Sequence, residues 1–125
     1  MKDLRMTKEQ INLLSERLLD FAVEVIKVVE KISKTFVGRQ IAGQLIRSST
    51  SAGANYEEAC GAESRADFIH KLQIVLKELR ESLYWLRLIE KTKLLPTQDM
   101  GPVIQDAQEL SNIIGKSIVT ARKNK

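Results

Sequence analysis

The sequence is poor in the residues that build cross-links, turns and metal centres. Its 125 residues include one cysteine, two prolines, six glycines and one histidine. A single cysteine excludes an intramolecular disulfide framework and a multi-cysteine zinc site. So few glycines and prolines disfavour an all-β sandwich or barrel, which needs many tight turns. Helices are therefore the expected secondary structure.

Long apolar runs are also missing. The uninterrupted apolar stretches are a few residues long, whereas a membrane-spanning helix needs about 20 residues. The N-terminal segment Met1–Thr7 mixes charges and has no apolar region of the kind that a secretory signal contains. We expect a cytoplasmic protein with no membrane span.

The overall composition is that of an ordinary globular protein. Hydrophobic residues make up 43% and charged residues 29%, so we expect one folded domain over residues 1–125. Lysine and arginine number 20 against 16 aspartate and glutamate, a formal net charge of +4. This charge permits an anionic partner without requiring one.

Apolar residues recur three and four positions apart, a spacing that predicts amphipathic helices. Thr7 with Gln10 and Ser64 with Asp67 have the spacing of capping boxes, Gly38 is interpreted as the break after the first helix, and Thr97 or Asp99 can cap the fourth. The predicted helices cover residues 7–34, 39–60, 64–92 and 98–122. Pro102 is expected in the first turn of the fourth helix, where a proline is tolerated. Four such helices with short connections predict an all-α, up-down-up-down four-helix bundle.

Two segments depart from a simple amphipathic pattern. The run Ser48–Ala54 has low helix propensity, so it is either helix held by tertiary contacts, which we favour, or a loop between two short helices. On the first helix, four apolar residues lie outside the core-facing stripe: Leu13, Leu19, Val23 and Ile26. Their position predicts an apolar face that something other than the helix's own core covers.

No residue pattern typical of catalysis or metal binding occurs. Asp67 and His70 have the i, i+3 spacing of a di-metal ligand pair, but a second histidine is missing. Cys60 is interpreted as a small packing residue, and no glycine-rich phosphate loop is present. We therefore expect no catalytic, metal-binding or cofactor-binding residue, and a protein that is not an enzyme.

Charged and aromatic residues of the second and third helices have a structural and a functional interpretation. The carboxylates are Glu57, Glu58, Glu78 and Glu81. For these we favour ion pairs with nearby arginines over a general acid–base pair. A place in the core or an interface is favoured over base stacking for the aromatic residues, which are Tyr56, Tyr84 and Trp85. The C-terminal basic residues are either phosphate ligands or a solvated helix end, and they are Lys116, Arg122, Lys123 and Lys125.

Three segments together resemble one protein family. They read RSSTSAGANYEEA from Arg47, ESRADFIHKL from Glu63 and ESLYWLRLI from Glu81. In this combination the chain resembles the 23S rRNA intervening-sequence proteins, also called four helix bundle proteins. The resemblance covers residues 40–95 well, and the first and fourth helices agree mainly in pattern.

The resemblance implies a small left-handed four-helix bundle that assembles into a homopentameric ring and has no enzymatic activity. Family members are encoded within intervening sequences of bacterial large-subunit rRNA genes or by free-standing genes. A related branch, the accessory protein of diversity-generating retroelements, is a basic pentameric barrel that binds a reverse transcriptase and nucleic acid. The net charge of +4 is modest beside such a barrel, which argues against the retroelement role.

The matching motif positions are interpreted as scaffold rather than as a site. They are Arg47, Ser51, Asn55, Glu58, Asp67, Phe68, Glu81, Tyr84 and Trp85. Because Ser51, Asn55 and Glu58 follow one another at helical spacing, we expect them to form buried hydrogen bonds with Arg47 and Glu81 that fix helix register.

Two functions remain open at this stage. The first is a non-enzymatic oligomer that associates with RNA or DNA through basic surface residues. The second is a protein–protein interaction scaffold without nucleic-acid contact, whose partner docks on apolar or aromatic surface.

Overall fold

Four α-helices account for nearly all of residues 6–123, the part of the chain that this computed structural model describes. They are α1 (Lys8–Ile32), α2 (Phe36–Cys60), α3 (Arg65–Thr92) and α4 (Thr97–Lys123), and no strand occurs in this range. The predicted all-α class with four helices is confirmed. No helix in the range combines the length and the apolar character that a membrane span needs.

Local side-chain chemistry sets the helix ends. The Thr7 hydroxyl accepts a hydrogen bond from the Gln10 amide at 3.0 Å, and the Gln10 side chain accepts one from the Thr7 amide at 2.9 Å. This is the predicted capping box. At the start of α3 the Ser64 hydroxyl accepts from the Asp67 amide at 3.1 Å. Lys93 ends α3 in the left-handed conformation with φ 57°.

The sequence suggested that Gly38 marks the break after the first helix. In the structure, Gly38 instead lies in the first turn of α2. α2 begins at Phe36, and the Thr35 hydroxyl caps it by accepting from the Gly38 amide at 2.9 Å. A Cβ atom on Gly38 would lie 1.7 Å from the carbonyl oxygen of Ile32, at the end of α1. Glycine is therefore required by the close approach of α1 to the first turn of α2.

Pro102 also lies elsewhere than expected. Because α4 begins at Thr97, Pro102 falls in its second turn, where an amide is normally bonded to the carbonyl four residues earlier. Both Pro102 and Gln98 are exposed, so water can satisfy the Gln98 carbonyl. The helix continues through the proline at this exposed position.

The apolar stripes of the four helices meet in one core. α1 packs on α2, α2 on α3 and α3 on α4, while α1 and α4 make the least extensive contact. The largest fully buried side chains come from all four helices: Phe21, Leu18, Tyr56, Leu45, Leu72, Leu79, Leu86, Ile89, Met100, Leu110 and Ile114, with Val25.

The run Ser48–Ala54 is helical throughout, which confirms the favoured interpretation. Ser48 is buried, and its hydroxyl lies 2.8 Å from the buried Ser82 hydroxyl of α3. The Cβ that Gly53 lacks would point at Leu18 of α1. A serine or glycine costs a helix at most about 1 kcal/mol relative to alanine, whereas burying one leucine contributes about 1.5–3 kcal/mol. Packing therefore outweighs the low propensity.

The extra apolar residues of α1 lie outside this core, as predicted. Leu13 and Leu19 are 64% and 59% exposed, and Val23 and Ile26 are also exposed. Ile46 of α2 is exposed as well. The fold thus leaves apolar surface on both α1 and α2.

The close approach at Gly38 predicts opposite effects for two glycine substitutions in α2. Gly38→Ala should lower the free energy of unfolding by about 1–3 kcal/mol, because the new methyl group meets a backbone carbonyl that cannot move aside alone. Gly43→Ala, with open space around it, should raise the free energy by about 0.5–1 kcal/mol. Urea unfolding followed by circular dichroism measures both, and equal stabilities would contradict the explanation.

Candidate nucleic-acid interface

The structure describes three of the four C-terminal basic residues, all of them on α4. Lys116 is exposed and lines the groove between α3 and α4, where Arg80 of α3 is also a lining residue. Arg122 and Lys123 are exposed in the last turn of α4. Lys125 falls outside the described residues. The structure therefore places Lys116 beside α3.

A basic row on α3, which the sequence analysis missed, runs beside this groove. Lys77, Arg80, Tyr84, Arg87 and Lys91 are spaced three and four residues apart, and all five are exposed. At 1.5 Å per residue they span about 21 Å of one helix face. We call these five residues the α3 stripe. The same spacing rule that found the apolar stripes could have found it, had it been applied to cationic residues.

Two clefts flank the α3 stripe. The wider one, about 950 Å³, lies between α3 and α4, and its polar lining includes Arg80, Lys116 and Asn112. The narrower one, about 390 Å³, runs along α3 and has three cations among its six lining residues, which are Arg80, Leu83, Tyr84, Arg87, Leu88 and Lys91. No described carboxylate lines either cleft. The α3/α4 face is thus positively charged.

Two acidic residues of α4, Asp106 and Glu109, form ion pairs with α1. The Arg17 guanidinium of α1 donates to Asp106 at 2.7 Å and to Glu109 at 3.1 Å. The hydrogen bond to Asp106 is the main reason that the pKa of Arg17 is raised. These pairs bind α4 to α1 and keep two carboxylates away from the groove with α3.

Acidic residues of α3 are held in the same way on the side of α2. Arg47 donates to the Glu81 carboxylate and approaches Glu78 at 3.4 Å. The hydrogen bond from Arg47 lowers the pKa of Glu81, and one from Trp85 adds to the effect. Glu78 and Glu81 thus pair with an arginine, as the sequence favoured, whereas Glu57 accepts a hydrogen bond from the Ser15 hydroxyl instead.

Glu81 also connects Arg47 to the aromatic residues of the motif. The Trp85 indole donates to Glu81 Oε2 at 3.0 Å. The Tyr84 ring packs edge to face on Trp85, with ring centroids 5.1 Å apart and planes at 78°. Tyr84 is nonetheless 61% exposed, so of the two predicted places, core or interface, it does not occupy the protomer's core. Its ring is held at the surface, within the α3 stripe.

Tyr56 behaves as expected for a core residue. It is buried, and its hydroxyl donates to the carbonyl oxygen of Ile11 at 3.1 Å. Burial raises its pKa well above the ordinary value for tyrosine. The phenol therefore stays protonated and joins α2 to α1.

The remaining motif residues form separate local contacts instead of one buried network. The Asn55 amide donates to the Ser51 carbonyl at 2.9 Å and to its hydroxyl at 3.0 Å. Exposed Glu58 accepts from Lys71 at 2.7 Å rather than from Arg47. Phe68 is a core residue, and Asp67 is in the first turn of α3. Helical spacing correctly made Ser51 and Asn55 neighbours on α2. The partner of Glu58 on α3 depends on the register between the two helices, which spacing within one helix does not determine.

Other potentially reactive side chains are unactivated or isolated. Desolvation raises the pKa of the Cys60 thiol, so the reactive thiolate is disfavoured at neutral pH. His70 is exposed on α3. Within residues 6–123, no group of three or more histidine, cysteine, aspartate or glutamate side chains is placed to hold a metal ion.

Four packed helices with one basic, aromatic-bearing face define a small all-α helical protein with a candidate anion-binding surface. The family model described as 23S rRNA-intervening sequence protein matches residues 10–116. The chain belongs to this family, as its motifs indicated.

A solved structure supports the assignment. It is a Bacteroides thetaiotaomicron protein described as having unknown function and belonging to the S23 ribosomal protein family. It is 36% identical with a TM-score of 0.78, and the match covers 84% of this chain and 97% of that one. No curated protein matches the chain.

The contacts of Glu81 predict an acid transition that the single tryptophan reports. The ion pair and the indole bond stabilise the fold above the ordinary pKa of 4.5, and this contribution is lost as pH falls through the lowered pKa. Trp85 fluorescence, titrated from pH 7 to 3, should therefore change with a midpoint below 4.5. Arg47→Ala should move the midpoint upward.

Lys71→Ala is the control for this titration, because Lys71 pairs with Glu58 rather than with Glu81. Its midpoint should match that of the parent protein. A midpoint that Arg47→Ala leaves in place would show that Arg47 does not set the ionisation of Glu81.

Proposed function

We propose that this protein is a non-enzymatic, RNA-associated assembly of four-helix bundles that acts in the cytoplasm. The α3 stripe, together with Lys116, supplies the contact with RNA phosphates. The observation that supports this most strongly is the separation of charge. Cations line the α3/α4 face, while four carboxylates of α3 and α4 pair with arginines on other helices: Glu78, Glu81, Asp106 and Glu109.

This charge arrangement fits a polyanion better than a small ligand. Arg80, Arg87 and Lys91 have no carboxylate partner within residues 6–123, so phosphate binding would break no ion pair. Binding to phosphates draws its free energy largely from the release of counterions, which exposed and spaced cations can achieve. Both open clefts leave room for a polymer to pass along the face.

The assembly proposal depends on two separate apolar surfaces. The first, which we call the α1/α2 face, comprises Leu19, Val23, Ile26 and Ile46, all exposed. The second is a cleft of about 340 Å³ between α1 and α4, whose lining includes Leu13 and Ile113. Two different surfaces on one protomer suit a head-to-tail contact, which closes into a ring when the rotation allows.

Five protomers per ring is the number that the family resemblance implies, and such a ring would multiply the basic face. Within each protomer we propose the left-handed, up-down-up-down arrangement. Two contacts between the start of α1 and the end of α2 support opposite helix directions: Tyr56 with Ile11, and Ser15 with Glu57.

The absence of catalysis in this proposal is supported by how the ionisable groups are occupied. Glu58, Glu78 and Glu81 are ion-paired, and the Cys60 thiol is held in its protonated form. General acid–base or nucleophilic chemistry needs such groups free or activated.

A protein-binding scaffold is the second candidate, favoured by apolar residues at the α1–α2 corner. Phe36 is 68% exposed, and its neighbour Val37 is also exposed. Large exposed apolar side chains that cluster often mark protein interfaces. These two residues lie outside the α1/α2 face and the α3 stripe, so a protein partner could dock there.

The assembly proposal predicts that a charged side chain introduced into the α1/α2 face lowers the mass of the species in solution. Val23→Glu should convert a roughly pentameric species into monomers, because a buried unpaired carboxylate strongly disfavours an apolar contact. Val37→Glu is the matched control and should keep the parent mass. Sedimentation velocity measures both, and an assembly that survives Val23→Glu would place the interface elsewhere.

The RNA proposal predicts salt-dependent binding by the α3/α4 face. A fluorescein-labelled RNA hairpin with an unpaired loop should bind about 50-fold to 150-fold more weakly at 200 mM than at 50 mM salt if about four cations contact phosphates. The double variant Arg80→Glu with Arg87→Glu should weaken binding at least about tenfold at 50 mM salt.

The charge-matched control is Lys27→Glu with Lys31→Glu on α1, which should bind the hairpin like the parent protein. Equal weakening by both double variants would mean that net charge alone governs binding. An intact assembly that leaves the hairpin unbound at both salt concentrations would favour the scaffold function.

A further inference from the structure

We propose that the α3 stripe binds single-stranded RNA, with Tyr84 stacking on an unpaired base while Arg80 and Arg87 hold the flanking phosphates. This inference rests on the proposed function and specifies its ligand. It follows from an aromatic ring that is exposed, oriented and placed between cations.

Tyr84 is exposed in a position where the fold does not need it. It is 61% exposed, and the buried core side chains of α3 lie on its opposite face: Phe68, Leu72, Val75, Leu79, Leu86 and Ile89. An exposed aromatic ring between cations is the element that single-strand-binding proteins share, because every base has a face on which it can stack.

Contact with Trp85 sets the orientation of the Tyr84 ring. Trp85 packs against Tyr84 at 5.1 Å, and the indole is fixed by its hydrogen bond to Glu81. Glu81 is in turn held by Arg47 of the neighbouring helix. A ring restrained before binding loses less conformational freedom when a base stacks on it. In this interpretation Arg47, Glu81 and Trp85 are positioning residues for Tyr84.

The spacing of the α3 stripe suits a short single strand. Arg80 and Arg87 are seven residues apart, about 10.5 Å along the helix, so their long side chains can reach phosphates on either side of a base that stacks on Tyr84. Tyr84 lies four residues after Arg80 and three before Arg87. A duplex keeps its bases stacked on one another, so it cannot offer a base face to Tyr84 without flipping.

The probes are a fluorescein-labelled oligouridylate of about 12 nucleotides and an RNA duplex of the same length, measured by fluorescence anisotropy with the intact protein. The single strand should bind more tightly than the duplex at equal salt. Tyr84→Ala should weaken single-strand binding about 5-fold to 150-fold, the range for one stacked base, and leave the salt dependence unchanged.

Three further variants separate stacking from other effects. Tyr84→Phe keeps the ring and should bind like the parent, whereas Tyr84→Leu keeps only apolar bulk and should bind like Tyr84→Ala. Arg87→Ala should reduce the slope of log affinity against log salt by about 0.7, the contribution of one phosphate contact to a single strand. Circular dichroism confirms that each exposed variant is folded.

The outcomes distinguish this inference from the proposed function. Parent-like binding by Tyr84→Ala, or equal affinity for duplex and single strand, would overturn base stacking even where Arg87→Ala still weakens binding. If neither the hairpin, the single strand nor the duplex binds at 50 mM salt, the proposed function and this inference fail together.

Discussion

Two arginines determine the surface that this protein presents. Arg17 on α1 draws Asp106 and Glu109 toward itself, and Arg47 on α2 does the same for Glu78 and Glu81. Partly exposed ion pairs of this kind are screened by water and salt, so they add little to stability. Their larger effect is on the distribution of charge, because they leave cations without carboxylates on the α3/α4 face. That face depends on pairs formed elsewhere in the bundle.

Much of the fold could be predicted from the sequence because helix formation and burial follow local spacing. The capping box at Thr7 is determined by residues close in sequence. The helix through Ser48 follows from the apolar residues at helical spacing around it, which pack in the core. Gly38 could not be interpreted correctly, because its role depends on the Ile32 carbonyl across a corner. A glycine that ends a helix and one that permits a close approach look the same in a sequence.

The candidate site was less predictable, and for a related reason. Helical spacing places Tyr84 and Arg80 on one face, but whether that face is core, interface or solvent depends on packing with the other helices. The partner of Glu58 likewise depends on the register between α2 and α3, which pairs it with Lys71. The α3 stripe joins the tyrosine of the family motif with cations at helical spacing, which the sequence contains but which were not predicted as a site. Only the structure places them on one exposed surface.

The central claim is that RNA lies on the α3 stripe with Tyr84 at its centre. The most direct test is photo-crosslinking of a 4-thiouridine single strand to the intact protein, followed by tryptic digestion and mass spectrometry. Cleavage after Arg80 and Arg87 isolates Tyr84 in one short peptide, so the crosslinked residue can be identified within it. The account predicts RNA adducts on that peptide, concentrated at Tyr84, and none on the α1/α2 face. Adducts confined to α1 or α2, with the Tyr84 peptide unmodified, would contradict it.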